Sequence, residues 1–271
     1  MSKNLIVKPK YQKCGINVVK DKFESYRIHK ENLFSLPMRV LIIGKSDLSG
    51  KTNMVDNLLL RPMDKMDLEG QLYYKDNFKG EDIYLFSASH SSDEKLGALI
   101  EFKKIPAANI FDGIDEGDLV NMYKRVEDKY KRAVEEEETP AHSLVIFDDC
   151  SYGGGLKRKI NGIISKIFSN GRHILLSSII TAQKYTTIST TCRENMSGMI
   201  VFQCADLQLR TIYNDLVIPY DYRMFREIFE YITEDEHSFM VYNTRLPKRD
   251  RILDSDFTPF QDSMDDSLKE C

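Results

Sequence analysis

The sequence predicts an α/β fold with a doubly wound, mainly parallel sheet and helices on both faces. Two patterns carry that prediction. Short apolar runs rich in β-branched residues, of the kind buried on both faces in parallel sheets, recur between segments of helical period. One of these runs ends in a glycine, Gly44, and two end in polar residues with chemical capacity, Asp148-Asp149 and Gln183. In an open parallel sheet the carboxyl ends of the strands border the ligand crevice, so polar residues belong there.

Taken in order, Met1 to Leu36 is mixed and polar and reads as an extension laid on a core that begins at Pro37. Met38–Gly44 ("MRVLIIG") is the first buried strand, and Lys51–Leu60 a helix stopped by Pro62. Asp82–Ser89 is a second strand. Asp115–Glu138 is a long charged helix whose Leu119, Met122, Val126 and Tyr130 share one face. Ser143–Asp149 ("SLVIFDD") is the next strand, followed by a glycine-rich turn and a helix over Leu156–Phe168 with Ile160, Ile163, Ile164 and Ile167 on one side. His173–Gln183 and Gly198–Gln203 are further strands. Helices near Ala205–Asp215 and Tyr220–Tyr231 precede a last strand at Ser238–Asn243. The segment from 254 to 271 is acidic, poor in large apolar groups, and expected to be disordered. The core domain is therefore placed at 37–253.

At 271 residues, with 42% hydrophobic and 30% charged residues, the chain is long enough for one substantial domain with small additions. The net charge of −4 neither announces nor excludes a nucleic-acid partner, which needs only a local basic surface. Five cysteines, scattered, odd in number and without a CxxC pair, are expected to be free thiols in a reducing compartment. No HExxH occurs, the N-terminus lacks the apolar core of a signal peptide, and no run approaches the about 20 apolar residues of a membrane span. An intracellular, soluble protein is expected.

The stretch "GKSDLSGKTN" supplies the chemistry. A phosphate loop reads G-x-x-x-x-G-K-[ST]; here five residues, not four, separate Gly44 from Gly50. Lys45 stands at the first-glycine position, or else the loop carries one extra residue after Gly44. The closing Gly50-Lys51-Thr52 is intact, directly after a strand and before a helix, where backbone N–H groups converge on anionic oxygens. The nucleotide-contacting set is then Gly44, Ser49, Gly50, Lys51, Thr52 and Asn53, with Thr52 also a Mg²⁺ ligand. Asp47 must point away from the phosphates, since two like charges at close range repel, so the extra residue is expected to bulge over Lys45–Leu48. Leu144–Asp149 forms a Walker B pattern, four apolar residues and two carboxylates: Asp148 for the Mg²⁺ shell, Asp149 to orient and deprotonate the attacking water. Gln183, ending the strand after the next helix, would emerge beside Asp149 and sense the γ-phosphate.

These residues together resemble the FtsK–HerA superfamily of P-loop ATPases, nearest to the genome-packaging ATPases of nucleo-cytoplasmic large DNA viruses and virophages. The resemblance runs from about Leu36 to Tyr242 through "GKSDLSGKT", "LVIFDD", "SNGRHILLSSIITAQKY" and "TTCRENMSGMIVF", in the family's order. The stretch "NGRH…Q" followed by R-x-N is more specific than the Walker motifs. The resemblance implies a RecA-like sheet, ATP and Mg²⁺ as cofactors, and a ring of identical subunits, usually six, that pumps double-stranded DNA. A capsid protein would be a further partner. It implies a place in the host cytoplasm, the viral assembly site or the virion. Lys51 and Thr52 match the family's phosphate and magnesium residues, Gln183 its sensor, and Asp148-Asp149 its Walker B pair, with Asp where many members have Glu. Arg172 and Arg193 sit at the motifs where an arginine finger reaching the neighbouring subunit is expected; a surface or helix-capping role is the alternative for each.

Other readings stay open. A P-loop nucleotide kinase or GTPase would need an acceptor site or an N-K-x-D element, and the latter is absent. A non-hydrolysing scaffold subunit would account for the displaced glycine and Asp47, against the intact Lys51, Thr52, Asp148 and Asp149. For DNA contacts, "GGGLKRK" (Gly153–Lys159) is either a phosphate-tracking loop or a solvated helix start, and Lys184-Tyr185 is a second candidate.

Overall fold

The computed structural model describes residues 6–7, 18–19, 25–45, 50–60, 73–149 and 157–260. Strands β1 (Ile6–Val7) and β2 (Val18–Val19) form an antiparallel pair. An eight-stranded sheet is built from β3 (Arg39–Ile43), β4 (Ile83–Ser87), β5 (Ile110–Phe111), β6 (Ser143–Asp148), β7 (Leu176–Ala182), β8 (Gly198–Phe202), β9 (Phe239–Asn243) and β10 (Ile252–Leu253). The helices are α1 (Lys51–Leu60), α2 (Glu94–Lys103), α3 (Glu116–Glu135), α4 (Lys157–Asn170), α5 (Thr190–Asn195), α6 (Asp206–Asp215) and α7 (Tyr222–Ile232). Strand order is β10-β9-β8-β3-β7-β6-β4-β5. Every pairing from β8 to β5 is parallel, while β9 and β10 run antiparallel at one edge.

The alternation along β3 explains its place at the centre. Val40 and Ile42 face one way, toward Met54, Val55, Leu58 and Leu59 of α1 and Leu96 and Leu99 of α2. Leu41 and Ile43 face the other way, into a layer supplied by α3, α4, α6 and α7. A strand covered on both sides must be apolar at every position, and β6 likewise is buried over its whole length. The stripe expected on α3 is the face that packs, with Leu119, Met122 and Val126 buried and Tyr130 against the same layer.

Three sequence expectations need correction. Helix α2 is an addition: Asp93 caps it by accepting from the N–H groups of Lys95 and Leu96, and Lys104, in left-handed backbone (φ 54°), ends it. The strand expected from His173 begins only at Leu176. A 3₁₀ turn over Gly171–Ile174, closed by Leu175 at φ 55°, takes up the first residues.

The core is also wider than 37–253. Leu33, Phe34 and Leu36 are buried, the Asn243 side-chain amide donates to the Asn32 carbonyl (3.0 Å), and the Tyr74 hydroxyl donates to that of Phe34 (2.6 Å). Gly198 lies under the Phe34 ring so closely that a Cβ there would meet it at 2.0 Å. At the other end Phe257 is buried, and the Phe260 N–H donates to Ile252 O (2.8 Å). The chain therefore packs on the sheet through residue 260. The remainder of the expected acidic tail lies outside the described residues. Among the described residues no helix is long and apolar enough to cross a membrane, and Cys192 and Cys204 are free thiols.

Candidate functional site

Sheet register brings the expected residues together. Ile43 is level with Ala182 on β7 and with Val201 on β8, so Gly44 follows between Gln183 and Phe202. Its N–H extends the ladder by donating to Ala182 O (3.1 Å). Gly44 thus closes the strand. Gly50 opens the helix at φ +73°, a left-handed backbone that L side chains rarely adopt, and its carbonyl accepts the first helical bond from Met54 N–H (2.8 Å). Lys51 and Thr52 are half-buried in the first turn of α1, and Asn53 is exposed there. The Lys51 ammonium turns back over the loop, donating to the carbonyls of Gly44 (3.0 Å) and Lys45 (3.1 Å). It therefore stands where a helix N-terminus and a cation converge. Ser49, Asp47 and the expected bulge lie outside the described residues, apart from Lys45, which is exposed.

Asp148 closes β6 and is buried. Its carboxylate accepts from Thr181 Oγ1 (2.9 Å) and from Ser87 Oγ (3.4 Å), hydroxyls on the flanking strands β7 and β4. Burial pushes its carboxyl above the usual range; the Thr181 bond opposes this, while the charges of Asp149 and Asp93 add to it. Asp149 follows at φ 42°, so the chain leaves the strand through left-handed backbone, and its own N–H is held by Thr181 Oγ1 (2.8 Å). Thr181 therefore holds the Asp148 carboxylate and the Asp149 backbone at once. The Gln183 side-chain amide donates to Asp149 Oδ2 (2.8 Å). The two side chains expected to act together are in direct contact.

A fourth carboxylate joins the site from α1. Burial, the neighbouring charges of Asp93 and Asp148, and an opposing effect of Lys95 leave the Asp56 carboxyl raised to about 7. Its Oδ1 is buried without a hydrogen-bond partner among the described residues. The C-terminal end of the sheet is thus crowded with negative charge. Among the described residues no group of three or more His, Cys, Asp and Glu side chains is arranged to hold a metal unaided. The donor set does fit Mg²⁺: hard oxygen ligands from one hydroxyl and one carboxylate, completed in nucleotide sites by phosphate and water.

Comparison with known proteins adds an independent line. The family model described as Poxvirus A32 protein matches residues 114–242, a span that includes Asp148, Asp149, Arg172, Gln183 and Arg193 and begins after the phosphate loop. Among solved structures, EssC (ATPases 2 and 3) from Geobacillus thermodenitrificans is similar at 14% identity and TM-score 0.50, over 86% of this chain and 42% of that one. The genome packaging NTPase B204 of Sulfolobus turreted icosahedral virus 2, in complex with ATP-gammaS, is similar at 14% identity and TM-score 0.47, over 77% of this chain and 93% of that one. B204 described as the DNA-packaging ATPase of Sulfolobus turreted icosahedral virus gives 16% identity and TM-score 0.47, over the same shares of each chain. A comparison with curated proteins gives no significant match. The likeness to EssC bears on the fold, and the family model matches just under half of the chain.

The two arginines expected at the interface part company. Arg193, on α5, is locked in place: its guanidinium pairs with Asp215 (2.7 Å), donates to Thr190 Oγ1 (3.3 Å) and lies 4.9 Å over the Tyr185 ring. Tyr185 also donates its hydroxyl to Asp215 (2.9 Å), so the chain just after Gln183 is braced against α5 and α6. Arg172 is exposed in the turn before β7, at the N-terminal end of the sheet, one strand length from Gln183. It belongs to a basic group the sequence did not announce. Arg39, at the start of β3, donates to Phe168 O (3.4 Å), and its Nε is buried without a partner among the described residues. Burial and the like charges of Arg172, Arg245 and Arg27 lower its guanidinium pKa to about 10.

Sequence reasoning missed Thr181, Ser87, Asp56 and this arginine group. A polar residue alternating with apolar ones at a strand's end was the available signal for Thr181 and Ser87. Arg39 was read as part of an apolar strand because its neighbours are apolar. For Gly153–Lys159, the side chains lie outside the described residues, and only the backbone of 157–159 is described, as the start of α4. Lys184 is exposed, whereas Tyr185 is buried in the brace just described.

Proposed function

We propose that this chain is an ATP-driven double-stranded DNA translocase that packages a viral genome into a preformed capsid. The observation that carries the reading is the Gln183–Asp149 contact, set on strands flanking one another beside the Lys51 helix terminus. That arrangement suits water attack on a terminal phosphate. Lys51 and the first N–H groups of α1 neutralise the β- and γ-phosphates. Asp149 orients and deprotonates the water, and Gln183 holds Asp149 in place until a γ-phosphate competes for its amide. Thr52 and Asp148 would hold Mg²⁺, which, when bound, neutralises charge developing on the phosphate oxygens. The DNA substrate and the packaging role are supported by the family resemblance and the matched span, which holds all of these residues except the phosphate loop.

A ring is supported by the charge of the two sheet ends. Carboxylates gather at one and arginines at the other, so head-to-tail contact between copies would bring Arg172 of one subunit to the nucleotide of the next. Arg193, bound within its own subunit, serves in this reading as a strut between the sensor and that interface. The test is ATP hydrolysis by the full chain with and without double-stranded DNA. DNA-stimulated turnover that Lys51→Ala abolishes supports the motor. Turnover that requires a small phosphate acceptor would indicate a kinase, and a chain that binds ATP without turnover would be a scaffold.

A further inference from the structure

The hydrogen bond from Gln183 to Asp149 lies in the open. Gln183 and the following Lys184 are both exposed, and one bond in contact with water is too weak to hold a side chain by itself. What fixes Gln183 is the chain on either side of it. Upstream, Ala182 is paired into the sheet, and its carbonyl accepts from the Gly44 N–H (3.1 Å). Downstream, Tyr185 is fully buried and opens a 3₁₀ turn. That turn is closed by bonds from Thr187 N–H to Lys184 O (3.1 Å) and from Ile188 N–H to Tyr185 O (3.2 Å). Gln183 and Lys184 are therefore a short span between two anchors.

The second anchor is itself held at both ends. The Tyr185 N–H donates to Gln208 Oε1 (3.2 Å) in the first turn of α6, and its hydroxyl donates to Asp215 (2.9 Å), the last residue of that helix. Those two partners stand about two helical turns, or roughly 10 Å, apart, so the Tyr185 side chain lies lengthwise along α6. Burial, and then the Asp215 carboxylate, push the Tyr185 hydroxyl above its usual range and keep it a donor. Asp215 is held in turn by Arg193 of α5. The guanidinium donates to the same oxygen, Oδ2 (2.7 Å), and covers the face of the Tyr185 ring. Its side chain is 16% exposed, so water screens this pair less than it does a surface ion pair.

We propose that Tyr185 and Asp215 are positioning residues for hydrolysis: they set where the Gln183 amide stands against Asp149. They act through Gln183 and not on the nucleotide. Arg193 contributes within its own subunit, by holding Asp215. Freeing Tyr185 from Asp215 loosens the downstream anchor, and the exposed amide then leaves the Asp149 carboxylate. Helix α6 is thereby the element whose position sets the sensor.

This role rests on the hydrolysis reading above, and a double-mutant cycle separates the two. ATP turnover, ATP binding and melting temperature of the full chain are measured for wild type, Tyr185→Phe, Gln183→Ala and the double variant. Tyr185→Phe keeps the ring and removes only the hydroxyl. It is expected to lower kcat by roughly ten- to a hundredfold, with KM for ATP within about twofold of wild type, because alignment suffers and binding does not. In the Gln183→Ala background the same change is expected to leave kcat where it is, while its effect on melting temperature is the same in both backgrounds. A loss of kcat by the same factor with and without Gln183 would show a purely structural brace and overturn the proposal, as would a Tyr185→Phe variant with wild-type kcat. If Tyr185→Phe does not fold, Asp215→Asn carries the same cycle with the same expected pattern. A wild type that binds ATP without turning it over overturns the hydrolysis reading, and a positioning role in it.

Discussion

The two ends of the central sheet are chemical opposites. At the C-terminal end Asp148, Asp149, Asp93 and Asp56 crowd together, and the Asp56 and Asp148 carboxyls are pushed upward. At the N-terminal end Arg39 is surrounded by Arg27, Arg172 and Arg245, and its guanidinium is pushed downward. Like charges gathered in partly buried positions cost stability. Separation of this kind is what a head-to-tail assembly would exploit, with each end neutralising the other's neighbour. An end of this kind would suit a cationic partner.

The strongest way to break this comparison is to disable each end in turn. Asp149→Asn is expected to slow ATP hydrolysis by about 10²–10⁴-fold, as removal of a general base does. Arg172→Ala is expected to slow it by roughly 10³-fold or more if it acts across the interface. The decisive measurement mixes the two variants. An Arg172→Ala subunit keeps its own Asp149 and can borrow Arg172 from an Asp149→Asn neighbour, so activity should partly return. Absence of rescue would mean that the two ends do not meet.

A smaller effect tests the joint that holds the acidic end. Thr181→Val removes the hydroxyl that bonds Asp148 and the Asp149 N–H. Loss of these buried bonds should cost on the order of 2 kcal/mol, read as a lower melting temperature and slower turnover. Unchanged turnover would show that Thr181 does not position the pair.

Asp56 gives a pH readout of the same end. Its folded pKa of about 7 lies above the usual carboxyl value of 3.8, so the folded chain holds this proton more tightly than the unfolded one. Stability contributed by the neutral form is present at low pH and is lost as pH rises through about 7. Asp56→Asn should therefore raise the melting temperature relative to wild type by more at pH 8 than at pH 5. An equal shift at both values would argue against an ionisation effect.

The smallest expected change is at the arginine end. Arg39→Met removes a partly buried cation from among three like charges, at the cost of one long bond to Phe168 O. Thermal stability should stay within about 1 kcal/mol of wild type or rise slightly, while assembly of the active oligomer, followed by light scattering, should weaken. A marked loss of stability would make Arg39 a purely structural residue.

Much of this protein was legible in its sequence. Helix α1 falls on the expected Lys51–Leu60, and β6 and β8 fall within a residue of expectation at either end, because long apolar runs and helical stripes can be satisfied only by burial. Helix α2 was missed because its strongest marks are local, an Asp93 cap and a left-handed Lys104. The start of β7 was misplaced because a 3₁₀ turn of apolar and polar residues reads like strand. The wider core at both ends depends on particular long-range partners: Phe34 over Gly198, and Phe257 on the layer that carries Phe34.

The sequence alone determined the alternating α/β order and the residue types of the candidate site: Lys51, Thr52, Asp148, Asp149 and Gln183. Each of these follows a local pattern of strand, turn or helix start, so neighbours along the chain suffice to place it. Only the tertiary structure decided that Gln183 touches Asp149, that Thr181 holds the Asp148 carboxylate and the Asp149 N–H, and that Arg27, Arg39, Arg172 and Arg245 gather at one end. Those relations depend on strand order and register, which set which distant residues stand side by side. A one-residue slip in β7 would leave every local motif intact and pull the site apart.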